Sequence, residues 1–193
     1  MRIIAGEMRG MRLFSPVGLK TRPTADFIKE SLFNILGNKV YASNFLDLYA
    51  GSGAIGIEAL SRGATFATFI EISQSAVSVI RRNLERAKME GYARIIQKDV
   101  QKAIRTMNQN IAPNLSQMYD IIFIDPPYFR GFIPKTLKAI ADSDILEEEG
   151  LIIAELGKDE WKTHFKGNDI IEGFEVIKHR SYSGTDLVFL TQK

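Results

Sequence analysis

The chain of 193 residues contains no cysteine, only two histidines and a single tryptophan. Without cysteine, disulfides, thiolate metal ligands and cysteine nucleophiles are excluded. No apolar run approaches the roughly 20 residues that cross a bilayer, and no charged-then-apolar signal segment opens the chain. We therefore expect a soluble, cytoplasmic protein.

The composition is that of an ordinary globular protein, with 45% apolar and 25% charged residues and a net charge of +2. This length fits one α/β domain over residues 1–193, with 1–22 as a small appendage. Basic residues outnumber acids strongly in the first 24 positions, which predicts a phosphate-binding face. The candidate RNA-binding residues are Arg2, Arg9, Arg12 and Arg22. A second basic group, within 81–105, is interpreted as solvated helix faces.

Apolar strand patterns alternate with helical ones through most of the chain. This pattern predicts a doubly wound, mostly parallel seven-stranded sheet with an antiparallel C-terminal strand. A small N-terminal β-hairpin, Arg2–Ala5 with Met11–Phe14, precedes it. The seven sheet strands are predicted at 45–49, 67–72, 93–97, 119–124, 150–156, 174–178 and 187–191.

A glycine-rich loop, Gly51-x-Gly53-x-x-Gly56, follows the first predicted sheet strand and opens a helix. With Glu71 twenty positions after the first glycine, it matches a dinucleotide-binding fingerprint. Glycines let a ligand approach the backbone at a helix N-terminus, and Glu71 can accept from ribose hydroxyls. These features suit any nucleoside cofactor, so NAD and S-adenosylmethionine both remain open on the loop alone.

Two further acids favour S-adenosylmethionine. Asp47 lies within the strand before the loop, where a carboxylate would repel a pyrophosphate but attract an ammonium or sulfonium group. Asp99 ends the third strand and can accept from an adenine amino group. Each acid has a structural alternative, Asp47 as a cap of the following turn and Asp99 as a helix N-cap. The predicted cofactor-binding residues are Asp47, Tyr49, Ala50, Gly51, Ser52, Gly53, Gly56, Glu71, Ile72, Asp99 and Val100.

The apolar run Ile121–Ile124 leads into Asp125-Pro126-Pro127-Tyr128. Prolines cannot donate to a sheet, so the strand must end there and present its next residues at the carboxyl edge, where α/β proteins bind ligands. The Asp125 carboxylate and the Pro126 carbonyl are adjacent acceptors for an NH2 group, and the Tyr128 ring can stack on a base. These four residues are the predicted catalytic group.

The segment Leu46–Gly53 resembles motif I of class I S-adenosylmethionine-dependent methyltransferases, and Asp125–Tyr128 resembles the motif of those that methylate exocyclic or amide nitrogens. Segments 2–6, 22–24 and 30–36 are similar to the bacterial 16S rRNA guanine-N2 methyltransferases, the RsmD family. The chain departs from that family at Phe27, where a basic residue is expected, and at Tyr182-Ser-Gly-Thr185.

The resemblance implies a Rossmann-like, monomeric enzyme. It would transfer the methyl of S-adenosylmethionine to a guanine N2 in 16S rRNA, free or in an assembling small subunit. The products would include S-adenosylhomocysteine, and no metal or membrane is implied. The alternatives are an adenine-N6 nucleic-acid methyltransferase, a protein-glutamine methyltransferase and, from another class, a nicotinamide oxidoreductase or a non-catalytic nucleotide-binding module.

Overall fold

The computed structural model describes residues 1–15, 23–109, 118–165 and 169–193. The chain divides into two compact units, Met1–Asp99 and Val100–Lys193. The expectation of one domain over residues 1–193 stays a prediction. None of the described helices is both long and apolar enough to cross a membrane.

The first unit alternates helices and parallel strands. Its strands lie in the order β3-β2-β1, with Leu48 paired to Ile70 and Glu71 paired to Gln97. Because all three strands run the same way, their carboxyl ends meet at one edge. The elements are α1 (Pro23–Leu36), β1 (Asn44–Leu48), α2 (Ala54–Ser61), β2 (Phe66–Glu71), α3 (Gln74–Ala87) and β3 (Ala93–Gln97).

Strand β1 is buried from Phe45 to Leu48, as expected of a strand covered on both faces. The segment before α1 pairs with itself as predicted, through one antiparallel bridge between Arg2 and Arg12. Helix α1 begins at Pro23, because proline is favoured at the first helical position.

The second unit combines one parallel strand pair with an antiparallel group. Its strands lie in the order β4-β5-β8-β7-β6, where β4 and β5 are parallel and the remaining neighbours antiparallel. The elements are α4 (Val100–Gln109), β4 (Tyr119–Ile124), α5 (Phe132–Ala141), β5 (Leu146–Gly157), α6 (Glu160–Phe165), β6 (Ile170–Ile171), β7 (Phe174–Ser181) and β8 (Thr185–Gln192).

The predicted α/β class, its parallel strands and its antiparallel C-terminal strands are confirmed. The described residues contain eight strands rather than seven, because the two-residue β6 pairs with the start of β7. The short helix α6 is not predictable from the sequence, since its six residues are too few for a helical period to be recognised. Strand β4 is buried from Ile121 to Ile124, so the chain emerges from the core directly at Asp125.

Candidate active site

The glycine loop joins β1 to α2 in the first unit. Three of its residues, at every second position, adopt the left-handed backbone conformation. Tyr49, Gly51 and Gly53 have φ of 63°, 54° and 74°. The Gly53 amide donates to the Ala50 carbonyl at 2.7 Å, which closes the turn. A left-handed residue that is not glycine costs about 1–2 kcal/mol, so Tyr49 is held there by the surrounding structure.

Gly51 and Gly56 of the loop are suited to glycine for different physical reasons. A Cβ atom on Gly56 would lie 2.3 Å from the Phe69 ring, so this position needs glycine for the packing of α2 on β2. Among the described residues, a Cβ atom on Gly51 would meet only the Tyr49 carbonyl oxygen, at 3.9 Å. The space beside Gly51 is therefore open to a ligand, whereas that beside Gly56 is filled by the protein.

Asp47 is almost completely buried, with 2% of its surface exposed, at the end of β1. Its Oδ2 atom accepts a hydrogen bond from the Gly56 amide at 3.0 Å, so the carboxylate does cap the loop. Burial raises the pKa of Asp47 to about 8, the Gly56 hydrogen bond lowers it, and the nearby Glu71 charge raises it. A cation placed beside this carboxylate would favour its ionised form.

Glu71 is fixed at the end of β2 by two backbone donors. Its Oε2 accepts from the Gly51 amide and its Oε1 from the Ser73 amide, each at 2.8 Å. A carboxylate has about four acceptor positions, so capacity for two ribose hydroxyls remains. Glu71 therefore orders the glycine loop as well as being a candidate ligand contact.

The other predicted cofactor residues follow the strand ends of the first unit, except Val100, which opens the second. Ile72 is exposed after β2. Asp99 directly precedes α4, at the position of a helix N-cap, and is half-buried. Ala50, Ser52 and Val100 are buried. Their assignment to cofactor binding stays a prediction.

The proline corner follows β4 in the second unit. Asp125 and Tyr128 are half-buried, Pro126 is buried and Pro127 is exposed. The Tyr128 hydroxyl donates to Glu155 Oε1 at 3.0 Å and lies 2.9 Å from Thr185 Oγ1. Burial raises the pKa of Tyr128 above its ordinary value, and the charges of Asp125 and Glu155 raise it further, so the hydroxyl stays a donor.

Gly157 in β5 and Glu160 in α6 stabilise the same corner. Glu160 is buried and accepts from the Phe129 amide at 2.6 Å and from the Gly157 amide at 2.9 Å. A Cβ atom on Gly157 would lie 3.0 Å from the Tyr128 ring and 3.1 Å from the Phe129 ring. Glu160 thereby holds Phe129 at a left-handed φ of 59°, with 70% of its side chain exposed.

Sequence reasoning missed Glu155, Gly157, Glu160 and Thr185. The motif around Asp125 names the residues predicted to face a substrate, whereas these four contact that segment from β5, α6 and β8. One signal was present for Thr185, which lies in the segment that departs from the family pattern. Its Oγ1 atom also bonds the Leu156 carbonyl at 2.6 Å, which joins β8 to β5 beside Tyr128.

The N-terminal hairpin docks on α2 through one buried acid. Glu58 accepts from the Ile4 amide at 2.8 Å and the Ala5 amide at 3.0 Å, and it pairs with Lys29 and Arg62 at 3.0 and 2.8 Å. The hairpin is thus anchored while its basic side chains face outward. Of the predicted RNA-binding residues, Arg2, Arg9 and Arg12 are exposed, and Arg22 lies outside the described residues.

The fold and the arrangement of the site agree with the proteins to which this chain is similar. The family model described as "Conserved hypothetical protein 95" matches residues 1–191. The chain belongs to this family. Two relatives bear the name Ribosomal RNA small subunit methyltransferase D. The Escherichia coli K12 protein is 37% identical, over 80% of this chain and 74% of its own, and the Haemophilus influenzae protein is 35% identical, over 82% and 80%.

A solved structure shares the fold across the whole chain. The Escherichia coli protein yhhF superposes with a TM-score of 0.82 at 29% identity, covering 100% of this chain and 98% of its own. The sequence-based resemblance is thereby confirmed, and with it the Rossmann-like fold and the methyltransferase class of the family. The residue roles within the site stay predictions.

Proposed function

We propose that this protein transfers a methyl group from S-adenosylmethionine to the exocyclic N2 amine of a guanine in small-subunit ribosomal RNA. One observation carries the proposal. A chain of this family ends its buried strand β4 at Asp125-Pro-Pro-Tyr128, with the Tyr128 hydroxyl fixed by Glu155 and Thr185. We place its action in the cytoplasm, as a monomer, on free rRNA or on an assembling subunit.

The corner residues hold and orient the target amine. A guanine N2 lone pair is delocalised into the ring, which makes it a poor nucleophile. Asp125 and the Pro126 carbonyl would accept one N–H each and favour a pyramidal nitrogen while positive charge develops. The bound cofactor would supply the methyl group that the N2 lone pair accepts, leaving as S-adenosylhomocysteine, and Asp125 or water would take the proton that the amine releases.

Tyr128 would stack on the target base after the base leaves its helix. Extruding a base costs a few kcal/mol, which stacking and hydrogen bonds at the corner must offset. A ring with a fixed hydroxyl loses little further freedom when a base binds. The contacts of Tyr128 with Glu155 and Thr185 therefore support its use as a stacking platform.

The first unit would hold the cofactor, which supplies an electrophilic sulfonium methyl when it is bound. Its residues fit that group in three respects. The space beside Gly51 is open, Glu71 keeps acceptor capacity for ribose hydroxyls, and Asp47 gives a buried carboxylate for the positive end. A dinucleotide fits less well, because its pyrophosphate offers no positive charge to pair with this buried acid.

Arg2, Arg9, Arg12 and Arg22 would contact RNA phosphates, which gives affinity without sequence preference. The corner alone would serve an adenine N6 amine as well as a guanine N2 amine. The choice of guanine therefore rests on the family resemblance.

The test is methyl transfer to 16S rRNA isolated from a strain that lacks this enzyme, with methylated nucleosides identified by mass spectrometry. Wild-type protein should produce N2-methylguanosine. Asp125→Ala should lower the rate by about 10²- to 10³-fold, comparable to the loss of one preorganised electrostatic partner, and leave cofactor affinity within about twofold.

The matched control is Asp142→Ala, which removes an exposed acid of the same unit that pairs with the exposed Lys138. This variant should retain the wild-type rate. Formation of N6-methyladenosine would replace guanine by adenine as the target, and near-normal transfer by Asp125→Ala would reject the positioning role.

A further inference from the structure

The N-terminal hairpin presents two arginines at directly opposed positions. Arg2 and Arg12 form its antiparallel bridge, and both are exposed. Their neighbours Ile3 and Leu13 are buried, so the two segments alternate between an inner apolar and an outer basic side. Like charges directly opposite each other are destabilising unless an anion lies between them.

The outer side continues to Phe14, whose backbone is held on both sides by one buried amide. The Phe14 amide donates to Asn83 Oδ1 at 2.8 Å, and Asn83 Nδ2 donates to the Phe14 carbonyl at 3.0 Å. The same Nδ2 group donates to the Ser52 carbonyl in the glycine loop at 2.9 Å. Asn83 therefore ties the end of the hairpin to the loop that would hold the cofactor.

Two arginines of helix α3 lie over the Phe14 ring. The Arg82 guanidinium carbon is 4.1 Å from the ring centroid and that of Arg86 is 5.4 Å away. They are four positions apart, so they project from one face of the helix, where their charges repel. Among the described residues neither forms an ion pair with an acid, and both are exposed.

We propose that Arg2, Arg12, Arg82 and Arg86 form one phosphate-binding surface around Phe14, which binds the RNA backbone. This four-arginine surface goes beyond the interpretation of 81–105 as solvated helix faces, which itself stays a prediction. The guanidinium fork matches phosphate oxygens in pairs, and stacking on Phe14 orients Arg82 and Arg86 before binding. The choice of RNA as the polyanion rests on the proposed function.

The surface also has a geometric role in that reaction. It belongs to the same compact unit as the glycine loop, and the buried Asn83 side chain joins the two. Phosphates bound there would be held at a set distance from the cofactor loop. Phosphate contacts of this kind fix register without reading sequence.

The experiment measures binding of a fluorescent 16S rRNA transcript by anisotropy between about 50 and 200 mM KCl. The variant Arg82→Gln/Arg86→Gln removes two charges from the surface. The matched control Arg81→Gln/Arg94→Gln removes two exposed charges of the same unit that do not contact Phe14. Since each phosphate contact contributes about 0.7–0.9 to the slope of log affinity against log salt, the first variant should lose about 1.4–1.8 of that slope.

The slope of the control Arg81→Gln/Arg94→Gln should fall by less than about half as much as that of Arg82→Gln/Arg86→Gln. Equal losses in the two double variants would show a general charge effect and overturn the proposal, as would an unchanged slope in Arg82→Gln/Arg86→Gln. Phe14→Leu keeps every charge but removes the ring, so it should weaken binding several-fold. Wild-type affinity in Phe14→Leu would overturn the orienting role of the ring. Thermal unfolding confirms that each variant is folded.

Methyl transfer by wild-type protein, measured in parallel, separates this proposal from the proposed function. If transfer is absent while RNA binding depends on Arg82 and Arg86, the surface stands and the function fails. If transfer occurs while binding ignores these two residues, the function stands and the surface fails.

Discussion

The glycine loop and the proline corner are both organised by carboxylates, but the carboxylates act over different spans of chain. In the loop, Asp47 and Glu71 accept from the backbone amides of Gly56 and Gly51, nine and 20 positions away. At the corner, Glu160 accepts from the Phe129 amide, 31 positions away. Glu155 instead accepts from the side chain of Tyr128, 27 positions away, and Thr185 lies 57 positions from that tyrosine.

The difference separates two ways of building a site. Acids that accept from backbone amides fix the course of the loop without contacting its side chains. Acids that accept from a side chain fix one ring, and they need two other strands, β5 and β8, to be correctly placed. We therefore expect changes in the loop to affect folding and cofactor binding, and changes at the corner to affect transfer.

The largest expected effect in this comparison is that of Gly56→Ala. The new Cβ would lie 2.3 Å from the Phe69 ring and must displace β2 or α2. Overpacking of a filled core costs about 1–3 kcal/mol or more of unfolding free energy. Urea denaturation measures this loss. Gly91→Ala is the matched control, since its Cβ would have no atom within 4 Å, and it should change stability by less than about 0.5 kcal/mol.

A second effect distinguishes glycines within the loop. Gly51→Ala meets no close atom but must adopt a left-handed φ, at a cost of about 1–2 kcal/mol. For the same loss of unfolding free energy, Gly51→Ala should weaken S-adenosylhomocysteine binding more than Gly56→Ala does. If both variants lose affinity only in proportion to stability, Gly51 has no role in ligand approach.

The next effect is the pH dependence of cofactor binding through Asp47. Because burial raises its pKa to about 8, the free protein carries this group protonated below pH 8, and a bound cation would require the ionised form. Affinity for S-adenosylmethionine should therefore fall by up to about tenfold for each pH unit below 8, with a proton released on binding. Isothermal titration calorimetry in two buffers of different ionisation enthalpy measures both quantities.

Asp47→Asn is the control for that dependence. The amide keeps the size of the carboxylate, and its carbonyl can still accept from the Gly56 amide, but it does not titrate. Its affinity should be weak and independent of pH between about 6 and 8. A wild-type protein with equally flat affinity would show that Asp47 only caps the loop.

The sequence predicted the loop better than the corner for a physical reason. The residues that fix the loop are separated by one strand–helix–strand unit, so a spacing such as Gly51 to Glu71 carries the information. The parallel strand order follows from similar local patterns. In contrast, Glu155 and Glu160 reach Tyr128 and Phe129 through β5, which pairs with β4, and Thr185 does so only after the antiparallel β8 returns beside β5. No spacing within the motif records those pairings.

The N-terminal segment was predictable in part, less completely than the glycine loop and more completely than the corner. Its hairpin and its basic character were evident from the glycines and arginines. Its contact with α3 was not, because Asn83 is 69 positions from Phe14 and a single asparagine in a helix carries no signal for a distant backbone partner.

The smallest effect expected is that of Tyr128→Phe, which tests whether the corner depends on the hydroxyl or only on the ring. The change leaves the ring but removes the donor to Glu155, a carboxylate whose pKa burial already raises. Losing one such hydrogen bond costs about 0.5–1.5 kcal/mol. Transfer should fall by about three- to tenfold with cofactor affinity unchanged, because the ring keeps its place against Gly157 but is less firmly oriented. Tyr92→Phe, an exposed tyrosine, should behave as wild type. If Tyr128→Phe lost as much activity as Tyr128→Ala, the hydroxyl itself would be needed at the substrate. The corner would then differ from the loop by supplying a reactive-site hydroxyl rather than an oriented ring.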